Sequence, residues 1–232
     1  MTLPDWHWNE MQQVGTDYND LNEVEIYDKR MAEFRDVVAE NRRILDTLKL
    51  QEGSALLEIG CGTGRLVRAA AQAGYRAFAV DVSQMMMTYA AKRAKEEGVG
   101  DIVFKYAGFL TMDFPDETFD AVVSNAALHH LPDAWKLVAL RNIARVLKPK
   151  GQLLLGDVVF TLEEEQAPES LFEQFASAVP PGMRKEAARH IAKEFSTYDW
   201  IIEGLLVRAG FEIVSSDATP SMAFSVYRCL KM

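Results

Sequence analysis

Leu56–Val67, LLEIGCGTGRLV, is the stretch that decides the fold. An apolar run carrying one acid, Glu58, gives way to three glycines in five positions, Gly60, Gly62 and Gly64. A strand that ends in such a turn and enters a helix brings bare backbone against a ligand at the carboxyl edge of a parallel sheet. The spacing is G-x-G-x-G with Arg65 next. That departs from the dinucleotide pattern G-x-G-x-x-G, and the G-K-[ST] of a phosphate loop is missing. Taken alone, the glycines are also compatible with a tight turn that only packs. Asp81 stands 21 residues beyond Gly60, at the end of the next apolar run. A carboxylate at a neighbouring strand tip can accept both hydroxyls of a ribose, and a helix N-cap is the other use of an aspartate there. Together the two features describe an adenosine-shaped site without phosphate chemistry.

Working outward, strand-like runs occur at 55–60, 77–81, 102–106, 119–125 and 152–157. Helical patterns at 64–73, 84–97 and 133–147 separate most of them, with Gly74 and Gly98 at helix ends and Asp133 as an N-cap. Such alternation predicts right-handed crossovers and a parallel sheet covered on both faces. Ahead of it, Met31, Phe34, Val37, Val38, Leu45 and Leu48 predict one amphipathic helix over 29–48. After Phe160 the alternation breaks. Residues 160–196, with LEEEQAPES and VPPGMRKEAARH, hold two short helical stretches and read as an inserted cap. A helix over 199–209 and strands at 211–215 and 223–230 close the chain. The link between those strands is too short for a parallel crossover, so the last strand is expected to be antiparallel. The expected organisation is an N-terminal helical segment or lid (1–48), a cofactor-binding core (49–159), the cap (160–196) and the end of the core sheet (197–232).

Composition narrows the function. The 232 residues are 49% hydrophobic and 25% charged, with a net charge of −9, which disfavours nucleic acid and anionic membranes as partners. No apolar run is long enough to span a bilayer, and the acidic, aromatic start MTLPDWHWNE is unlike a signal peptide. Two distant cysteines, Cys61 and Cys229, give neither a disulfide framework nor a zinc spacing, which suits a cytoplasmic protein.

LLEIGCGTG, the Asp81 in AVDVSQMM, FPDETFDAVVSNAALHHLPD and ARVLKPKGQLLL resemble, in order, the motifs of class I S-adenosylmethionine-dependent methyltransferases, closest to the small-molecule branch that includes quinone-biosynthesis enzymes. The resemblance runs from about Tyr27 to the C-terminus. It implies a Rossmann-like, doubly wound α/β fold, with a mostly parallel seven-stranded sheet, an antiparallel last strand and a helical cap. By position, Glu58 and the loop Gly60, Cys61, Gly62, Thr63 and Gly64 would face the methionine part of S-adenosylmethionine. Asp81 would hold the ribose, Val82 and Met86 would lie by the adenine, and Asn125 and Ala126 would approach through backbone. Tyr27 would close over the carboxylate end. Packing is the other reading of Met86 and Tyr27. Where the family usually places an aspartate that binds the adenine amino group, this chain has Gly108, followed by Phe109. Adenine recognition is therefore expected to differ in shape.

Methyl transfer from a sulfonium needs in-line positioning of a nucleophile and, for a hydroxyl, thiol or acidic carbon, a base. His129, His130 and Asp157 lie at the strand tips facing the cofactor and are the candidates, with packing, helix entry or capping as their other uses. Trp6, Trp8, Tyr18, Phe160, Phe172, Phe175 and Tyr198 could roof a small-molecule acceptor. SNAAL stands where a nucleic-acid amino-methyltransferase would show [DNS]-P-P-[YF], and isolated Asn125 and Asp157 predict no metal. A nicotinamide oxidoreductase is disfavoured by the glycine spacing. A catalytically silent module binding S-adenosylmethionine or S-adenosylhomocysteine is the alternative from another class.

Overall fold

The computed structural model describes residues 4–33, 35–161, 167–219 and 223–232. Phe34, the acidic run 162–166 and residues 220–222 lie outside the described residues. The central strand β1 (Ala55–Ile59) is buried along its whole length, as a strand covered on both faces must be. It pairs in parallel with β2 (Arg76–Asp81) on one side and β4 (Phe119–Asn125) on the other. Beyond them, β3 (Val103–Tyr106) extends the sheet past β2, and β5 (Leu147–Phe160) extends it past β4, both in parallel. A two-residue strand, β6 (Thr197–Tyr198), pairs with the end of β5. β8 (Phe224–Lys231) then runs antiparallel between β5 and β7 (Phe211–Thr219), which gives the order β3-β2-β1-β4-β5-β8-β7. This is the doubly wound, Rossmann-like α/β sheet with an antiparallel final strand.

Helices α3 (Arg65–Gln72), α4 (Gln84–Glu96) and α5 (Asp133–Val146) connect the parallel strands. Gly74 and Gly98 follow the ends of α3 and α4 with φ of +85° and +66°. The segment expected as one helix is two, α1 (Leu21–Ala32) and α2 (Val37–Leu48). The Asp36 carboxylate accepts the Ala39 N–H at 3.0 Å and starts α2 afresh. That local signal outweighs a hydrophobic period running across it. The expected Asp133 cap is also one residue late. Pro132 holds the N-cap position, and the Asp133 carboxylate instead accepts from Lys136 Nζ at 2.8 Å and Thr197 Oγ1 at 3.2 Å.

After β5 come α6 (Pro168–Ser177), a 3₁₀ turn (Pro181–Met183) and α7 (Arg184–Lys193), then α8 (Asp199–Arg208) before β7. Phe160, Val158 and Ala223 form a small separate core against which Leu171, Phe175, Ile191 and Tyr198 pack. Among the described residues, no helix is long and apolar enough to cross a membrane.

Candidate active site

Register sets the site. Ile59 lies opposite Val80, so the glycine loop and Asp81 emerge side by side. The Gly60 and Cys61 N–H groups both donate to the Val80 carbonyl, at 2.9 and 3.1 Å. Gly60 has φ +76°, and a Cβ there would stand 2.5 Å from that of Ala127. Gly62, at φ +51°, has nothing within 4 Å of its would-be Cβ, so its backbone faces open space. Asp81 accepts the Gly62 N–H through Oδ2 and the Ser83 N–H through Oδ1, each at 2.8 Å. Ser83, not Asp81, caps α4, accepting the Met86 N–H at 3.0 Å. Asp81 is thereby left at the strand tip, held by backbone donors with its remaining lone pairs toward a cavity. That cavity is lined by Asp81, Val82, Met86, Gly108, Phe109 and Ala126, and also by Tyr27 and His130.

At the other end of the loop, Glu58 is 6% exposed and its Oε2 has no hydrogen-bond partner. Burial, reinforced by the nearby Asp81 charge, pushes its carboxyl up to about 8, opposed by the Arg68 guanidinium. Arg68 is itself anchored on Glu97 and on the Thr63 carbonyl, at 2.9 and 2.7 Å. Glu58 shares a second opening with Tyr27, Gly62 and Asn125. The Val67 N–H also stabilises the carboxylate, yet Oε2 stays without a partner, and such a buried oxygen beside bare loop backbone suits a cation such as an α-ammonium. With Asp81 for a ribose and an apolar slot around Met86, these residues fit S-adenosylmethionine.

This yields an expected pH dependence. A carboxyl raised from about 4.5 to about 8 weakens the ligand-free fold as pH rises through that interval, and a bound ammonium reverses the effect. Calorimetry should show S-adenosylhomocysteine affinity rising roughly 10- to 50-fold from pH 6 to pH 8, with protons released on binding. Asp81 and Glu10, also raised by burial, titrate in the same direction, so Glu58→Gln is the control that should flatten most of the rise. A flat wild-type profile would remove Glu58 from the site.

The histidine pair divides into two different groups. His129 Nδ1 is 2.5 Å from Asp157 Oδ1, and its Nε2 is 3.3 Å from Glu194 Oε2, which also pairs with His190 Nδ1. Burial lowers the His129 imidazole and the two carboxylates raise it; the carboxylates win, bringing it to about 9. His129 is thus a buried imidazolium that ties the β5 tip to the end of the cap. Asp157 is held below its ordinary range despite burial, because His129 sits against it. His130 is the opposite case: burial and the His129 charge drive it down to about 4, so it is neutral at pH 7 and lines the cofactor cavity beside Tyr18. Among the described residues, His129, His130 and Glu194 also offer ligand atoms within 4.8 Å of one another.

Other sequence-derived residues fall differently. Cys61 turns its thiol to Met87, with Sγ and Sδ 3.6 Å apart, and Thr63 donates to Asp28 at 2.8 Å; both residues line the opening beside Glu58. Of the expected aromatic roof, Tyr18 and Phe175 line cavities. Trp6 is largely exposed and stacks on Trp135, Trp8 packs on Phe195, and Phe172 lies under Arg184. Phe160 and Tyr198 belong to the cap core. Sequence reasoning missed Glu194, His190 and Glu10, each polar, buried or half-buried, and brought to the site from outside the strand tips.

The glycine loop, Asp81 at the strand tip and buried Glu58 on this sheet match a class I S-adenosylmethionine-dependent methyltransferase. Comparison with known proteins agrees. The family model described as "Methyltransferase domain" matches residues 56–151. An uncharacterized methyltransferase of Geobacillus sp. (strain WCH70) is 30% identical over 195 residues, covering 82% of this chain and 83% of that protein. The 27-O-demethylrifamycin SV methyltransferase of Amycolatopsis mediterranei (strain S699) is 38% identical over 117 residues, 50% of this chain, which spans only 42% of that protein. A crystal structure of a SAM-dependent methyltransferase from Aquifex aeolicus superposes with a TM-score of 0.65 at 18% identity, covering 92% of this chain and 99% of that one. The chain belongs to the methyltransferase family, and S-adenosylmethionine is its cofactor.

Proposed function

We propose that the enzyme methylates a small-molecule acceptor held in a second cavity, with His130 receiving the acceptor's proton. The observation that carries this is a junction: the cofactor cavity and a cavity of about 640 Å³ share Tyr18, Tyr27 and Ala126. The larger cavity has an apolar body, including Leu154, Val158, Phe175, Phe224 and Val226, and a polar wall that includes Arg43, Arg228, His129 and Glu194. Its volume is ordinary for a small-molecule site. The net charge of −9 and the similarity to a protein named for 27-O-demethylrifamycin SV methylation both support a small acceptor over nucleic acid.

The cofactor supplies an electrophilic methyl group and a neutral leaving thioether. The chain's own work is positioning and proton removal. Glu58 and Asp81 hold the amino-acid end and the ribose of the donor, while Tyr18 and Tyr27, packed edge to face at 5.9 Å, keep water from the junction. Asp157 and Glu194 hold His129 as a cation, so it cannot accept a proton at neutral pH. His130 can. Its low basicity suffices, because an oxygen or sulfur acceptor becomes strongly acidic as its new bond to carbon forms.

The test is S-adenosylhomocysteine production from S-adenosylmethionine across a panel of hydroxylated, thiol and ring-bearing small molecules. His130→Ala should lower kcat by roughly 100-fold or more, with S-adenosylhomocysteine affinity within threefold of wild type. An unchanged kcat would take His130 out of the chemistry. Turnover confined to nucleic-acid or protein acceptors would overturn the acceptor class.

A further inference from the structure

Gly108 follows β3, next to the tip of β2, where Asp81 faces Tyr106. The space its missing side chain would fill is occupied. A Cβ built at Gly108 would lie 2.5 Å from Glu10 Oε2, 2.6 Å from Glu10 Cδ and 2.7 Å from Val82 Cγ1. Glu10 comes from the N-terminal segment, 100 residues upstream of the backbone it touches. Its Oε1 is held by three donors, the Leu110 and Thr111 N–H groups at 2.9 and 2.8 Å and the Thr111 hydroxyl at 2.8 Å. Its Oε2 has no partner, although the residue is only 7% exposed.

We propose that Glu10 recognises the exocyclic amino group of the cofactor's adenine, supplying from the N-terminal segment the carboxylate that position 108 lacks. This rests on the adenosyl moiety occupying the cavity lined by Asp81 and Met86. The same cavity is lined by Glu10, Val82, Gly108 and Phe109, so the carboxyl borders the space beyond a ribose held on Asp81. A purine amino group presents donors only, and the open Oε2 is an acceptor only when ionised. Leaving a buried acceptor unpaired is costly, and a ligand that brings a donor recovers that cost. The three donors on Oε1 fix the carboxyl in advance, so no side-chain ordering is lost on binding.

Glycine at 108 is then a requirement of the arrangement, since an aspartate there would collide with Glu10. Adenine recognition is also made conditional on the N-terminal segment being docked. The segment is tied down independently where the Ser83 hydroxyl donates to the Tyr18 carbonyl at 2.6 Å and where Trp8 packs on Phe195.

The competing role is structural, with Glu10 merely satisfying the Leu110–Thr111 turn. Calorimetry on the full chain separates them, using S-adenosylhomocysteine, its purine analogue lacking the amino group, and S-inosylhomocysteine, which carries a carbonyl there. Wild type should bind S-adenosylhomocysteine about 10- to 100-fold more tightly than either analogue. Glu10→Ala should lose affinity by a similar factor and bring the three ligands within about threefold of one another. Adding Gly108→Asp to Glu10→Ala, with the Val82 side chain turning aside, should restore the preference, whereas Gly108→Asp alone should weaken S-adenosylhomocysteine binding by its clash with Glu10. Equal wild-type affinity for all three ligands would overturn the proposal without any variant. Glu10→Ala with the preference intact would reduce Glu10 to a turn-holding residue. If wild type fails to bind S-adenosylhomocysteine at all, the cofactor assignment falls, and the proposal with it.

Discussion

Asp81→Ala is expected to weaken S-adenosylhomocysteine binding by at least about 100-fold. The carboxylate does two jobs at once. It accepts the Gly62 and Ser83 N–H groups, which fixes the glycine loop against the start of α4, and in the proposed assignment it offers its free lone pairs to the ribose. Hydrogen bonds to a charged acceptor contribute roughly 1.5–3 kcal/mol each, so losing two ribose contacts accounts for that factor before any loop movement. Stability should change less, because the variant also removes a carboxyl that burial already holds above its usual range. Calorimetry and thermal melts on the same samples distinguish the two effects. Affinity within threefold of wild type would refute the ribose assignment.

The second large effect is on the fold itself. His129→Ala leaves Asp157 and Glu194 facing each other without the cation between them. Removing one member of a buried charge cluster costs about 3–5 kcal/mol. For a chain of this size, that corresponds to a drop of roughly 10 °C in melting temperature. The pH dependence identifies the cause. His129 is raised from 6.5 to about 9, so its stabilisation is complete below about 6.5 and fades as pH rises through about 9. The variant's deficit should therefore be largest near pH 6–7 and shrink by pH 10. A deficit under 1 kcal/mol, or one that does not vary over that interval, would contradict the imidazolium assignment.

The sequence exposed whatever is carried by local pattern. Strand–helix alternation and the glycine loop were enough for the sheet, its direction and its antiparallel end. Asp81 was legible because its spacing from Gly60 reflects one strand–helix–strand unit. Glu10 and Glu194 were not legible, since each gains its meaning from residues far away in the chain, Gly108 in one case and His129 in the other. Gly108 was visible as a departure, yet nothing near it could disclose what replaced the side chain. The histidines show a subtler limit. LHHL places two identical groups at the active edge, and only their partners decide that one is charged and the other neutral. The break between α1 and α2 was in plain view as Asp36, but a hydrophobic period read across it concealed the start of a second helix.

The strap formed by Tyr18 and Ser83 has a kinetic meaning. Glu10 and Tyr27, both from the N-terminal segment, line the cofactor cavity, and the Ser83 hydroxyl holds that segment at Tyr18. A release path past that segment makes departure a peeling event, its rate set by how readily the segment detaches rather than by bond-making. Residence time of S-adenosylhomocysteine, more than its affinity, would govern how fast such an enzyme cycles.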